Sequence, residues 1–120
     1  MKYLLLIYQN PENWESLSDD ERDRLMNEAG AIMNELTDSG EWVGGYGLAH
    51  PSNTKTVKVR DGVPAVTDGP YLEAKEHLAG LCLIQCETEE RAVEIARRWP
   101  DARYWAVELR PLMAEAGTEM

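Results

Sequence analysis

Ionisable side chains crowd one stretch of the 120-residue chain, "VTDGPYLEAKEHLAG", where Asp68-Gly69-Pro70-Tyr71 is followed by Lys75-Glu76-His77. Asp68 has the chemistry of a general base, or of an orienting carboxylate at a pocket mouth. The same residue also suits a turn, its side chain accepting backbone N–H groups ahead of Gly69-Pro70. Residue chemistry alone leaves both readings open. On a helical turn Lys75 and Glu76 would point about 100° apart. Lys75 would then be free to pair with Asp68, and Glu76 to face a ligand. A lysine beside two carboxylates also binds a small acid as a point charge. The plainer alternative is a solvated ion pair contributing less than about 1 kcal/mol.

His77 stands where this stretch becomes apolar, and His50 precedes Pro51; either is an acid or base near neutral pH. Neither has a second histidine at i+4, and their spacing fits no metal motif, so no metal site is expected. Arg110 has the fork geometry to anchor a carboxylate across a subunit interface, or to pair with one of the chain's many acids. Gly44-Gly45-Tyr46-Gly47 lacks the Lys-Ser/Thr of a phosphate loop, and no dinucleotide fingerprint or nucleophile elbow occurs. Nothing calls for a nucleotide or another cofactor.

The elements that must position these residues follow from periodicity and punctuation. "KYLLLIYQ" is a short apolar run ending at Asn-Pro, as in an interior strand, with "NPENWESL" read as a loop. Ser18 and Glu21 form a capping box. Behind them Leu25, Ala29, Ile32, Met33 and Leu36 recur at helical spacing, and Gly40 supplies the stop. "EWVGGYGLAH" reads as a strand loosened by three glycines. "TVKVRDGVPAVT" is a hairpin with Asp61-Gly62 in a type I′ turn and Pro64 at an edge. "HLAGLCLIQC" is a second central strand. Thr88 caps a helix with Ala92, Val93, Ala96 and Trp99 on its apolar face and Pro100 at its end. "ARYWAVELRP" closes the domain as a strand, so residues 1–113 form one domain and 114–120 a frayed tail.

This β-α-β, hairpin, β-α-β order predicts an α+β fold, a ferredoxin-like βαββαβ unit with an inserted hairpin and both helices on one face of an antiparallel sheet. Trp42, Tyr46, Tyr104 and Trp105 fall in predicted strands, and alternation cannot place all of them under the helices. Some line the open face, and a second subunit covering that face predicts a homodimer.

Composition narrows the function classes. Twelve basic against 22 acidic residues give a formal charge of −10. Such a field repels a phosphate backbone and anionic lipid, which argues against nucleic-acid and membrane partners. The apolar run Tyr3 to Tyr8 is too short to span a bilayer and lacks the flanks of a signal peptide, so a cytoplasmic protein is expected. Cys82 and Cys86, four residues apart in a strand, have Cα atoms about 13 Å apart, too far for a disulfide or a shared zinc. Both are read as core or half-buried free thiols, which suits a reducing compartment.

Asp68-Gly69-Pro70-Tyr71, Lys75-Glu76, Gly80 and Glu108-Leu109-Arg110-Pro111, in this order, resemble the signature of the YCII-related, DGPF-type family, with tyrosine replacing the motif's phenylalanine. The resemblance covers nearly the whole chain and is strongest from Val57 to Met113. It implies a ferredoxin-like subunit in a dimer of the α+β-barrel type. One branch of the family is proposed to use a histidine on the first helix paired with an aspartate. Here "SDDERDRLMNEAGAIMNEL" contains no histidine.

Two functions are therefore weighed. The first is a small-molecule binder or small enzyme with a cleft between sheet face and hairpin, using Asp68, Lys75, Glu76 and His77, lined by Trp42, Tyr46 and Trp105, with Arg110 as an anion anchor. The second is a non-catalytic regulatory protein whose negative charge docks on a basic partner surface. Family members are often encoded beside alternative sigma factors, which gives the second reading a transcription-linked form.

Overall fold

A computed structural model describes residues 1–114 and 118–119. Four strands, β1 (Lys2–Gln9), β2 (Trp42–Gly47), β5 (His77–Gln85) and β6 (Ala106–Pro111), form an antiparallel sheet in the order β2-β5-β1-β6. The chain is α+β. The two most apolar strands, β1 and β5, take the centre because only there do both strand edges find partners.

Strand alternation then decides the core. Tyr3, Leu5 and Ile7 of β1 and Cys82 and Ile84 of β5 are buried on one face. They meet Ile32 and Leu36 of the long helix α2 (Asp19–Ser39), and Ala92, Ile95 and Ala96 of α3 (Glu89–Arg98), in one apolar cluster. Helix α2 starts as expected: the Glu21 N–H donates to Ser18 Oγ at 3.1 Å, and the Glu21 carboxylate accepts from the Ser18 N–H. It stops at Gly40, whose φ of 82° is the left-handed cap conformation that glycine adopts without strain. On the sheet's other face Leu4, Leu6, Leu81 and Leu83 stand at facing register positions, half-buried, with no helix of the described residues above them.

The hairpin of β3 (Lys55–Arg60) and β4 (Val63–Asp68) turns at Asp61 and Gly62, with φ of 51° and 75°, the positive pair a type I′ turn requires. It forms a sheet of its own, and Val57, Val59, Val63 and Val66 are all exposed. The radius of gyration, 16.5 Å, exceeds the roughly 13–14 Å of a compact chain this long, and the molecule is a slab 48 × 44 × 18 Å.

Four sequence expectations need correction. "NPENWESL" is not a loop: Pro11–Ser16 is a short helix, α1, because Asn10 Oδ1 accepts the Glu12 and Asn13 N–H groups and Pro11 occupies the first turn. On α3 Ile95 is buried with Ala92 and Ala96, whereas Val93 is 51% exposed. "ARYW" is not strand; Pro100 ends α3 and opens the helical turn α4 (Asp101–Tyr104), which leaves Tyr104 and Trp105 ahead of β6. Finally, Lys75 and Glu76 lie in a bend, not on a helical turn. Of the expected frayed tail, 114–120, Ala114 with the preceding Met113 (β7) pairs with Thr118–Glu119 (β8), and 115–117 and 120 lie outside the described residues.

Candidate functional site

Two strand ends and two short helical pieces build the principal cleft. Its volume is 370 Å³, within the roughly 300–1,000 Å³ usual for ligand pockets. Gln9 comes from the end of β1, Trp14 and Glu15 from α1, Arg22 from α2, His50 from the segment after β2, and His77 from the start of β5.

A β-bulge sets His77. Ile7 pairs with Gly80, but Tyr8 pairs with Leu78, so Ala79 is an extra residue in β5. Without it Leu78 would oppose Gln9; with it His77 does. The Ala79 carbonyl accepts the Leu48 N–H at 2.8 Å, which ties the segment leading to His50 against the same strand end. Both histidines thus reach one cleft from positions 27 residues apart in the sequence.

His50 is oriented by its own turn. Its Nδ1 accepts the Ser52 N–H at 3.1 Å, so the neutral ring carries its proton on Nε2, which lies 3.8 Å from Glu15 Oε1. Arg22 fastens α1 to α2: Nη1 donates to the Trp14 and Glu15 carbonyls at 3.2 and 3.3 Å, and Nη2 pairs with Asp19. These two carbonyls lie at the C-terminal end of α1, where backbone acceptors lack helical partners. Trp105, at an indole-to-indole distance of 6.4 Å from Trp14, donates its N–H to Asn13 Oδ1 and backs the same helix.

Gln9 leads inward. Its amide donates to Asp101 Oδ2 at 2.7 Å, and Asp101 is only 7% exposed. Burial pushes this carboxyl above the usual aspartate range, the Gln9 hydrogen bond acting in the opposite direction. Both residues line a second, adjoining cavity of 240 Å³ between β2, β5 and the helices, with Met33, Trp42, Trp99 and Cys82.

The sequence-predicted residues fall into separate places. Asp68 ends β4, its side chain 82% exposed and paired with Lys55, the residue opposite it in the ladder, not with Lys75. The Asp68-Gly69-Pro70 corner is structurally anchored: the Gly69 N–H donates to the Thr54 carbonyl at 2.8 Å, the Gly69 carbonyl accepts from Thr56 Oγ1 at 2.7 Å, and Gly69 has φ of 95°. Tyr71 lies under Lys58, whose Nζ is 5.0 Å from the ring centre. Lys75 and Glu76 are exposed. Pro70 and His77 line a third groove that shares His50 and Leu78 with the principal cleft.

Trp42 packs against the core and lines the inner cavity. Tyr46 also lines it, although its place opposite Leu81 sends its side chain, 75% exposed, to the open face. Arg110 is on that open face too, opposite Leu4, near Tyr8 and Glu108. The Glu108 carboxylate beside Tyr8 raises the phenol's pKa. The structure thus gathers His77, His50 and Pro70, and sets Asp68, Lys75, Glu76 and Arg110 apart from the principal cleft.

Glu15, Trp14, Arg22, Gln9 and Asp101 were not among the expected site residues. Asn10-Pro11 was a readable signal for α1, being a cap residue followed by the residue favoured at the first helical position. Nothing local marks Gln9 or Asp101.

Comparison with known proteins adds two findings. A family model described as YCII-related domain matches residues 1–115. An uncharacterized protein of Rhizobium meliloti (strain 1021) is 29% identical over 114 residues, which span 93% of this chain and 92% of that protein.

Proposed function

The chain belongs to the YCII-related family, and from that premise we propose that the two-histidine cleft binds a small carboxylic acid and exchanges a proton with it. The single observation that carries this reading is the convergence of His50, from the segment after β2, and His77, from the start of β5, on one 370 Å³ cleft with Arg22 and Glu15. His77 is the acid or base. His50, with Nδ1 engaged by Ser52, offers Nε2–H to a ligand oxygen, with Glu15 Oε1 3.8 Å away. Arg22 adds fixed positive charge, and Trp14 an apolar wall. Lys75 and Glu76, directly before His77, and Asp68, before Pro70, stay outside the cleft lining and carry no role in this reading. In this reading the chain replaces the missing first-helix histidine with His50 and His77.

The architecture is read as ferredoxin-like: the order β2-β5-β1-β6 with α2 and α3 against one face supports it. A second copy covering Leu4, Leu6, Leu81 and Leu83 would complete a dimer of the α+β-barrel type, with Arg110 and Tyr46 at its margin. No helix of the described residues is long and apolar enough to cross a membrane, and the proposed setting is the cytoplasm.

With two histidines in the chain, the test is direct. Ring-proton NMR should show both His50 and His77 shifting when acetate, pyruvate or malonate is added, and His77→Ala should abolish the response at His50. If neither ring moves with any of these acids, the reading fails.

A second reading keeps its own observation. The hairpin exposes four valines beside Lys55, Lys58 and Arg60, a surface that suits a protein partner and thus a regulatory role. Capture of a partner that Val59→Ser and Val66→Ser abolish, with the histidines unresponsive to acids, would favour it.

A further inference from the structure

The inner cavity owes its space to missing side chains. On the helix-facing side of the sheet the register places Gly45 opposite Cys82 and Gly47 opposite Gly80. Gly80 also faces Ile7 across β1. Three adjacent positions that would ordinarily send side chains toward α2 and α3 therefore send none. They are not equivalent. A Cβ at Gly45 would sit 2.8 Å from the Trp42 indole, which lies across that position, and one at Gly80 would sit 3.1 Å from the Tyr46 carbonyl. A Cβ at Gly47 would meet nothing within 4 Å. Gly47 is itself exposed and leaves open space at the mouth of a pocket whose walls include Met33, Trp99 and Asp101.

This cavity is mostly apolar and aromatic, with one carboxylate, the buried Asp101, in its wall. An ionised carboxylate offers about four acceptor positions, and Gln9 uses one at Oδ2. An apolar cavity of about 150 Å³ accepts benzene, so 240 Å³ accommodates one substituted ring. Gln9 and Ala79 line both this cavity and the two-histidine cleft, so the two spaces adjoin.

We propose that the inner cavity binds a single aromatic ring carrying a hydroxyl or amino donor, with the donor on Asp101 and the ring between Trp42, Met33 and Trp99 above Gly47. The inference deepens the small-acid reading and rests on it for the ligand's other end: the ring occupies the inner cavity, and its acidic substituent passes Gln9 toward His77. The site's ligand is then a hydroxy- or amino-substituted aromatic acid.

Phenol and toluene are the probes, followed by tryptophan fluorescence and ligand-observed NMR on the whole chain. Phenol should bind, and more tightly than toluene, because only phenol has a donor for Asp101. Gly47→Leu places a side chain in the open space and should weaken both probes about tenfold or more. Asp101→Asn keeps the shape and should weaken phenol by about tenfold while changing toluene less than about twofold. His77→Ala should leave phenol binding unchanged. Phenol failing to bind the wild-type chain, or binding Asp101→Asn equally well, overturns the inference. Those failures are separable from failure of the small-acid reading, because acetate would still shift His50 and His77. If Gly47→Leu does not fold, the phenol-to-toluene ratio in Asp101→Asn still decides the matter.

Discussion

Gln9 and Asp101, 92 residues apart in the sequence, meet in a 2.7 Å hydrogen bond that joins the end of the central strand to the short helical turn after α3. The same Gln9 stands opposite His77 in the ladder. One amide thus connects the rim of the polar cleft with the only charged side chain buried among the described residues.

That bond makes a pH-dependent prediction. Asp101 is held above its ordinary value by burial, so the folded state keeps its proton to higher pH than the unfolded state does. Stability from this group therefore falls as pH rises past the ordinary aspartate range. Gln9→Leu removes the one side-chain donor that favours the carboxylate. It should cost about 1–3 kcal/mol and steepen that fall. Asp101→Asn should flatten it. Chemical denaturation between pH 3 and pH 7 gives the measurement, and parallel curves for all three proteins would refute the assignment.

Glu41 works with the opposite sign. The Arg91 guanidinium donates to both of its oxygens at 2.9 Å and holds its carboxyl at about 2, with help from Ser39. A depressed carboxyl stabilises the fold above the unfolded-state value and loses that effect as pH falls toward 2. Allowing for solvent screening, the contribution is about 1–3 kcal/mol. Wild-type protein should lose it between about pH 4.5 and pH 2. Arg91→Ala should already lack it at pH 7, visible as a lower melting temperature at neutral pH and a smaller drop on acidification.

Neither cysteine is placed to react. Both thiols are buried and free; burial pushes Cys82 up to about 12, the Asp101 charge adding to it, and raises Cys86 as well. At pH 8 the thiolate fraction of Cys82 is then about one in ten thousand. A disulfide-exchange reagent should label neither residue in native protein, and both after denaturant is added. Prompt labelling of one thiol in the native state would contradict this burial.

The open sheet face supplies the association prediction. Leu83 faces Leu4 across the central pair, on the side that no helix of the described residues covers. Leu83→Lys should convert a dimer at micromolar concentration into a monomer in sedimentation, with little change in the core. A wild-type chain already monomeric at that concentration would sink the proposed assembly.

Secondary structure was legible wherever a local rule acts alone. The Ser18 capping box, the Gly40 stop, the Asp61-Gly62 turn and the Thr88 cap are decided within four residues, and the structure has each of them. The Asp68-Gly69-Pro70 corner was equally legible as a turn, because its backbone demand is local. The site was not. His77 joins the cleft because of a bulge at Ala79, and a bulge depends on how two distant strands align. His50 joins it because Leu48 bonds Ala79, and Asp101 is buried because Gln9 reaches it. The sequence by itself determined the four main strands, the hairpin, the two longer helices with their capped ends and the negative charge, since propensity, capping and charge are properties of neighbours. Only the tertiary structure decided which histidines share a cleft, which carboxyl is buried and which of three neighbouring glycines leaves space, since register and packing belong to residues far apart in the chain.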